Sequence, residues 1–429
     1  MEPSPAAAAA ARRSGESGAG GTLEPSPSAA TATDLLSSLP AHLQDEILIR
    51  LDLRDAVRTS ALSRAWRHFW KSLSVVSLSF PHPSVVDSVL PRYTGPRISR
   101  FAVYVDEASA GRIDDWVVAL SRYSVDSIDI YGLLESGHFN LHSSIFSCDH
   151  LVSLELSRCN IPPLPVGFAG FPVLQVLILG SVEFPANGEN QLEAIIRHSP
   201  LLHDLTLFAV TIPKDCPDSV IQTPNLRKLA IFSGNDKGWR IGEMPRLEYA
   251  KIEVMLYRQH GHDFGGFLAQ FAHVRKLALF WPINDVEIMH KLPFNFYNLK
   301  DLKLSTHFTQ MEPILFIFTL LRSCHNLEKL KIEILLEDDQ DIEANLEFLN
   351  TQWTDGVCAN LQVVQMIDIN RLPNEISFMK LILSKAKLLR TLYVDVQPYS
   401  LDDPLLEILK CRRASAQAHV LFQGLAQQY

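Results

Sequence analysis

The chain has no run of about 18 consecutive apolar residues, so no membrane-spanning helix is expected. It also lacks a concentration of positive charge. Its 39 Lys and Arg stand against 48 Asp and Glu, and the net charge of −9 is spread along the sequence. A nucleic-acid binder usually shows a basic patch or stripe, so that class is disfavoured. Cysteine is sparse: Cys148, Cys159, Cys216, Cys324, Cys358 and Cys411 lie 11 to 108 residues apart without a C-x-x-C pair. This scatter suits reduced, mostly buried thiols of the nucleus or cytoplasm rather than a disulfide framework or a zinc site. The phosphate-cradling and nucleophile signatures G-x-x-x-x-G-K-[ST], G-x-G-x-x-G and G-x-S-x-G are absent. His138 and His142 are four apart and His260 and His262 two apart, neither pair with a third ligand nearby. Surface histidines account for both. No catalytic residue, cofactor or metal is expected, and no nucleic-acid or membrane partner.

What is present is the composition of a folded soluble protein, 47% hydrophobic and 20% charged, too long at 429 residues for one ordinary core. Residues 1–33 are the exception, being mostly Ala, Ser, Gly and Pro. Such a segment cannot bury enough surface to offset its ordering entropy and is expected to be disordered. Its alanine run, Ala6 to Ala11, follows Glu2 rather than a basic start, unlike a secretory signal. Glu2, Glu16 and Glu24 also speak against a plastid address.

Residues 34–72 predict a compact helical trio. Ser38 can cap a first helix with Pro40 in its first turn, and Leu43, Ile47, Leu48 and Leu51 then share one face. Asp52 can cap a second helix carrying Ala56, Val57 and Leu62, and Ser63 a third, with Trp66, Phe69 and Trp70 at i, i+3 and i+4.

Beyond the trio a repeat begins. The template apolar-x-x-apolar-x-apolar starts at Ile98, Val125, Leu151, Leu174, Leu202, Leu226, Leu247, Val274, Leu299, Leu327, Leu361 and Leu389, in steps of 21 to 34 residues. Leucine-rich repeats have periods of roughly 20–29 residues. Each unit reads as a short strand with a looping return, often helical, as Leu192, Ile195 and Ile196 suggest for one. A single unit cannot cover its own apolar face, so neighbours must stack into a curved, parallel-stranded α/β solenoid. Cys159, eight residues after Leu151, falls where such repeats place an Asn or Cys to bond the turn, and is expected to be structural.

The trio resembles the F-box, in particular its plant form with the pattern DAVRTS-x-LS-x-x-W-R-x-x-W. Here that pattern stands as Asp55, Ala56, Val57, Arg58, Thr59, Ser60, Leu62, Ser63, Trp66, Arg67 and Trp70. Residues 356–429 are similar to the FBD domain that follows F-box and leucine-rich repeats in a large plant group. The positions that carry this likeness are Asn374, Glu375, Phe378, Lys380, Ile382, Leu383, Ala386, Leu389 and Leu392, with the ending Arg412 to Phe422. The chain is therefore identified as a member of the plant F-box/FBD/LRR-repeat family, with repeats over 73–355.

The resemblance implies a non-catalytic substrate-recognition subunit of a Skp–cullin–F-box ubiquitin ligase. The F-box would bind a Skp-type adaptor, and through it a cullin–RING ligase, while the repeats hold an unknown protein substrate. Adaptor contacts are expected from Leu39, Pro40, Leu43, Ile47, Leu48, Leu51, Val57, Leu62 and Trp66. On the concave strand face, Phe208, Phe232 and Phe280 fall in one column followed directly by Trp281, and Lys251, Lys303 and Lys331 form a basic strip. Exposed apolar columns mark binding sites, so these six are the candidate substrate contacts. Two rival readings share the architecture: a small-molecule-dependent co-receptor, for which no dense Arg or Lys cluster is legible, and an F-box scaffold outside any ligase.

Overall fold

The computed structural model describes residues 38–62, 64, 66–80, 82–135, 137–186, 188–212, 220–233, 240–254, 264–280, 291–335, 346–354, 356–395 and 404–423. The expected tail, Ser63, Asn187, Cys216, His260, His262 and Trp281 lie outside these residues.

Fourteen strands follow one another across a single sheet: β1 (Val75–Phe80), β2 (Arg97–Val105), β3 (Ser127–Gly132), β4 (Ser153–Ser157), β5 (Val176–Gly180), β6 (Asp204–Phe208) and β7 (Lys228–Ser233). They continue as β8 (Tyr249–Val254), β9 (Lys276–Phe280), β10 (Asp301–Thr306), β11 (Lys329–Ile334), β12 (Val363–Ile367), β13 (Thr391–Asp395) and β14 (His419–Gln423). Each pairs in parallel with the next, so chain order is sheet order. The sheet passes without a break from the repeats into the FBD-like strands β12 to β14.

The template is the core. At all twelve of its copies the three apolar positions are buried, none more than 5% exposed. The period of two within a strand sends these side chains to one face and leaves the alternate ones on the other. Helical returns back the inner face. Ile113–Leu120 buries Ile113, Trp116, Val117 and Leu120, and Gly188–Arg197 buries Leu192, Ile195 and Ile196. Two strands fall outside the twelve copies. Leu73, Val76 and Leu78 fit the template at β1, whereas at β14 a glutamine, Gln417, occupies the leading position. Because β14 ends the stack, Val420 and Phe422 are only partly covered and Leu421 is 45% exposed.

A second ladder runs along the strand-start rim. Just before the leading leucine, the side-chain amides of Asn225, Asn298, Asn326 and Asn360 donate to the carbonyls of Pro200, His273, Tyr297 and His325, one repeat earlier. The recurring Asn-Leu pair is thus a stitch between repeats, and it was visible as PNL, YNL, HNL and ANL. Asn326→Ala should cost about 1 kcal/mol in urea unfolding, the net worth of one neutral hydrogen bond at an exposed edge.

At the opposite strand ends the chain turns sharply. Arg158, Ser181, Ala209 and Asp368, each following the last residue of its strand, hold φ of 55°, 50°, 47° and 57°. A non-glycine residue bears about 1–2 kcal/mol of strain there. The backbone N–H groups of Arg158, Ser181 and Ala209 donate to Gly180, Phe208 and Phe232 in the next strand, which fixes the bend.

The N-terminal unit consists of α1 (Ala41–Leu48), α2 (Leu53–Arg58) and a 3-10 segment, Trp66–Ser72. Pro40, not Ser38, occupies the cap position of α1, and the third element is 3-10 rather than α. Asp52 caps α2, accepting from the Asp55 N–H at 2.8 Å. Leu48, Ala56, Trp66, Trp70 and Leu73 form a small core of their own, which Val89 of the first return helps close.

Polar bonds then clamp this unit to the repeats. The Asp45 carboxylate accepts from the Ser74 N–H at 3.0 Å and hydroxyl at 2.5 Å, and Thr94 N–H donates to Lys71 O at 2.7 Å. Buried Tyr93 donates toward Leu73 O at 3.0 Å and Arg97 O at 2.6 Å. A Cβ on Gly95 would sit 2.1 Å from Leu73 O, so the junction has no room for a larger residue.

Candidate functional site: an exposed helical face and an aromatic strand row

On the N-terminal unit, i to i+4 spacing sets Leu43 and Ile47 along α1, away from the small core. Each is 41% exposed, as is Leu51 after the helix, and Leu62 is 64% exposed. Pro40 is also exposed, while Leu39 and Val57 are half-buried. Leu48 and Trp66 must be removed from the expected contact set. At 1% and 4% exposure they are spent on the unit's own core, because they face the second and third elements.

On the sheet, one row of outward residues runs in register through Tyr104, Tyr131, Ser157, Gly180, Phe208, Phe232, Glu253, Phe280, Ser305 and Glu333. Phe208 is half exposed and its ring centroid lies 5.6 Å from that of half-buried Phe232. Glu253 separates Phe280 from this pair. The row begins with a second aromatic pair that the sequence column did not include: Tyr104 and Tyr131 stack at 5.2 Å. Strand pairing, not sequence distance, brings them into line with the phenylalanines.

The three lysines occupy a neighbouring row but differ in state. Lys251 sits 4.2 Å over the Phe232 ring and 3.5 Å from Glu253, and Lys303 pairs with Glu333 at 2.5 Å. That contact holds the Glu333 carboxyl below its usual range. Among the described residues Lys331 makes no ion pair.

A basic cluster does form, on the strand-start rim. Arg227, Arg246, Arg275 and Lys300 line a groove of about 790 Å³ with Glu248 and Glu328, and Lys300 bonds Glu328 at 2.6 Å. The four cations come from four different repeats, which is why the linear sequence shows no cluster.

Most of the histidines and cysteines singled out above fall among the described residues. No group of three or more His, Cys, Asp or Glu could hold a metal there, and no helix is long and apolar enough to cross a membrane. His142 Nδ1 accepts from the Ser144 N–H at 3.1 Å, and His138 Nδ1 lies 3.9 Å from Glu183. Cys148, Cys159, Cys324 and Cys358 are buried. Burial pushes the thiols of Cys148, Cys159 and Cys358 up to about 12 and that of Cys324 upward as well, making them poor nucleophiles.

In the folded chain these thiols keep protons that an unfolded chain loses above about pH 8.5. Their contribution to stability is full below that pH and is lost as pH rises through about 12. With iodoacetamide at pH 8, peptide mapping should show Cys411, which is only partly buried, modified well before these four. Equal rates would mean the core is open.

Comparison with known proteins agrees with both halves. The family model for the F-box domain matches residues 36–78, and one described as FBD-associated F-box protein At5g56370, LRR repeats, matches residues 113–265. F-box/FBD/LRR-repeat protein At1g13570 of Arabidopsis thaliana is 26% identical over 422 residues, covering 91% of this chain and 98% of its own. F-box/FBD/LRR-repeat protein At1g51370 of the same plant is 24% identical over 409 residues, covering 85% and 89%. F-box/LRR-repeat protein 13, also from that plant, is 32% identical over 247 residues, covering 53% and 52%.

The chain thus carries an F-box domain and FBD-associated LRR repeats, and along most of its length it is similar to F-box/FBD/LRR-repeat proteins. F-box/LRR proteins in general act as substrate-recognition subunits of Skp–cullin–F-box ligases and as non-catalytic adaptors.

The positions that carry the FBD likeness serve the fold. The Asn374 amide donates to Phe308 O at 2.9 Å, and the fully buried Glu375 carboxylate accepts from the N–H groups of Leu372 at 3.2 Å and Asn370 at 3.1 Å. Both residues lock the start of the helix Pro373–Lys385 against the repeats.

Proposed function

We propose that this chain recruits a protein target to a Skp–cullin–F-box ligase. Its F-box docks a Skp-type adaptor through Pro40, Leu43, Ile47, Leu51 and Leu62, with Leu39 and Val57 at the margin. Its strand face holds the target through Phe208, Phe232 and Phe280, flanked by Lys251, Lys303 and Lys331. The observation that carries this reading is the apolar face the F-box leaves in water. Covering the exposed parts of Leu43, Ile47, Leu51 and Leu62 would contribute roughly 4 kcal/mol, taking about 1.5–3 kcal/mol for a fully buried side chain. Surface of that kind is costly in a unit of this size unless a partner covers it.

Ubiquitin transfer would be carried out by the partners. The chain would supply proximity, raising the effective concentration of target lysines near the ligase. The bonds of Asp45, Tyr93 and Thr94 across the junction support this, because they hold the target-bearing sheet at a fixed attitude to the adaptor.

The test is co-elution of the purified full chain with a Skp-type adaptor in gel filtration, then with a cullin added. A stoichiometric complex is expected at micromolar concentration. A chain that elutes alone at every ratio overturns the proposal.

A further inference from the structure

Between the aromatic pairs of the outward row stand two strands that carry almost no side chain, Ser157 on β4 and Gly180 on β5. Tyr131 stands in register on the strand before them and half-exposed Phe208 on the strand after. Gly180 has room for a side chain, with only ordinary contacts around it. A Cβ built there would meet nothing nearer than the Ser157 hydroxyl at 3.6 Å, and neither ring lies among its three nearest neighbours. Gly180 is not demanded by a turn or by a close backbone approach, and glycine inside a strand is destabilising relative to alanine. The bends at Arg158 and Ser181 carry the chain away immediately beyond, and the Arg158 guanidinium is engaged with Leu134 O at 3.2 Å. The notch is thus a low stretch of the row, with the Ser157 side chain and Leu156 O nearest to Gly180 and an aromatic residue on the strand to either side.

The adjacent row gives the notch a polarity. In register it reads Asp129, Glu155, Ile178, Thr206, Ala230, Lys251, Ala278, Lys303, Lys331. It is acidic on β3 and β4, where Glu155 shares a strand with Ser157, neutral beneath Gly180 and the phenylalanines, and basic on the late side. The early acids are already engaged: Asp129 with Arg100 at 2.6 Å, and Glu155 with the Tyr131 hydroxyl. On the late side Lys251 is paired with Glu253 and Lys303 with Glu333, while Lys331 makes no ion pair among the described residues. With strands about 4.8 Å apart, Lys251 lies three spacings from Gly180, roughly 14 Å, and Lys331 six, roughly 29 Å. An extended peptide at about 3.3 Å per residue spans these in about four and nine residues.

We infer that the space over Gly180 receives one bulky apolar side chain of a bound protein segment, whose continuation toward Lys251, Lys303 and Lys331 carries acidic residues. The inference rests on the strand face being the target-binding surface, and it adds the class of target: an apolar anchor with carboxylates about four to nine residues to one side.

The probe is a random dodecapeptide phage library panned on the purified full chain. Selected peptides are then synthesised and titrated by fluorescence anisotropy against the wild type, Gly180→Ala, Gly180→Leu, Phe208→Ala and Lys331→Glu, with a melting curve for each. Selected peptides are expected to share a Leu, Ile, Met or aromatic residue with Asp or Glu at that separation. Gly180→Leu, which fills the notch, should weaken them at least tenfold and Gly180→Ala two- to threefold, both without a fall in melting temperature. Lys331→Glu should weaken the acidic peptides and leave their amide counterparts unchanged. If no peptide is selected, or if Gly180→Leu binds as wild type, the notch is not a receptor. Should Phe208→Ala abolish binding while Gly180→Leu does not, the strand-face reading stands and the notch alone falls; if neither matters, both fall.

Discussion

Replacing Leu43 and Ile47 together by aspartate should weaken adaptor binding about a thousandfold or more while the melting temperature of the chain stays within a degree or two. Both side chains point away from the small core formed by Leu48, Ala56, Trp66, Trp70 and Leu73, so the folded chain loses little. The complex loses twice. The apolar contacts go, at roughly 1 kcal/mol for each side chain that was 41% exposed. Two carboxylates must also be desolvated without partners, at about 1–3 kcal/mol each or more. The sum exceeds 4 kcal/mol, and about 1.4 kcal/mol is tenfold in affinity. Calorimetric titration of the adaptor into both proteins measures it. A tenfold loss or less would mean the adaptor sits elsewhere on the unit. Trp66→Ala supplies the contrast: because Trp66 is core, it should lower stability first and binding only as a consequence.

The second large effect concerns the joint between repeats and C-terminal region. Phe378, on the helix Pro373–Lys385, is fully buried between Phe308 and Phe318, with ring centroids at 5.5 and 5.8 Å in edge-to-face geometry. Phe308 follows β10, and Phe318 lies on the helix Met311–Ser323 of the same repeat, so the Leu299 and Leu361 repeats meet at this cluster. Phe378→Ala removes a whole ring and leaves a cavity, at a cost of about 3–5 kcal/mol. In a solenoid each repeat leans chiefly on its neighbours, so the loss should be local in origin. Hydrogen exchange should rise first in β10 to β13 and last in β2 to β5. Urea unfolding should show the full loss, with Phe378→Leu giving a smaller one. A loss below 1 kcal/mol would mean the cluster is not packed as described.

These two expectations differ in how far the sequence alone could reach them. The inward residues of the solenoid were legible because burial imposes a strict spacing. An apolar side chain at each of three template positions faces the core, and every copy is buried. Leu43 and Ile47 were legible as part of an apolar face, but Leu48 and Trp66 were not separable from them. All are apolar residues of one short unit, and only the packing of Leu48, Ala56, Trp66 and Trp70 decides which point inward. The Asn-Leu stitch recurs in the sequence as a repeated pair, yet its meaning depends on a carbonyl one repeat away.

Sequence by itself determined the architecture: a helical unit carrying the F-box pattern, then parallel strands stacked in chain order. Period and composition are local, and a solenoid is built from local rules repeated. What only the tertiary structure decided is which residues from distant repeats become neighbours. Tyr131, Gly180 and Phe208 fall in one row, and Arg227, Arg246, Arg275 and Lys300 around one groove, because strand register converts a separation of one repeat into one spacing across the sheet. Return loops of unequal length hide that register from any reading along the chain, and backbone hydrogen bonding between adjacent strands sets it.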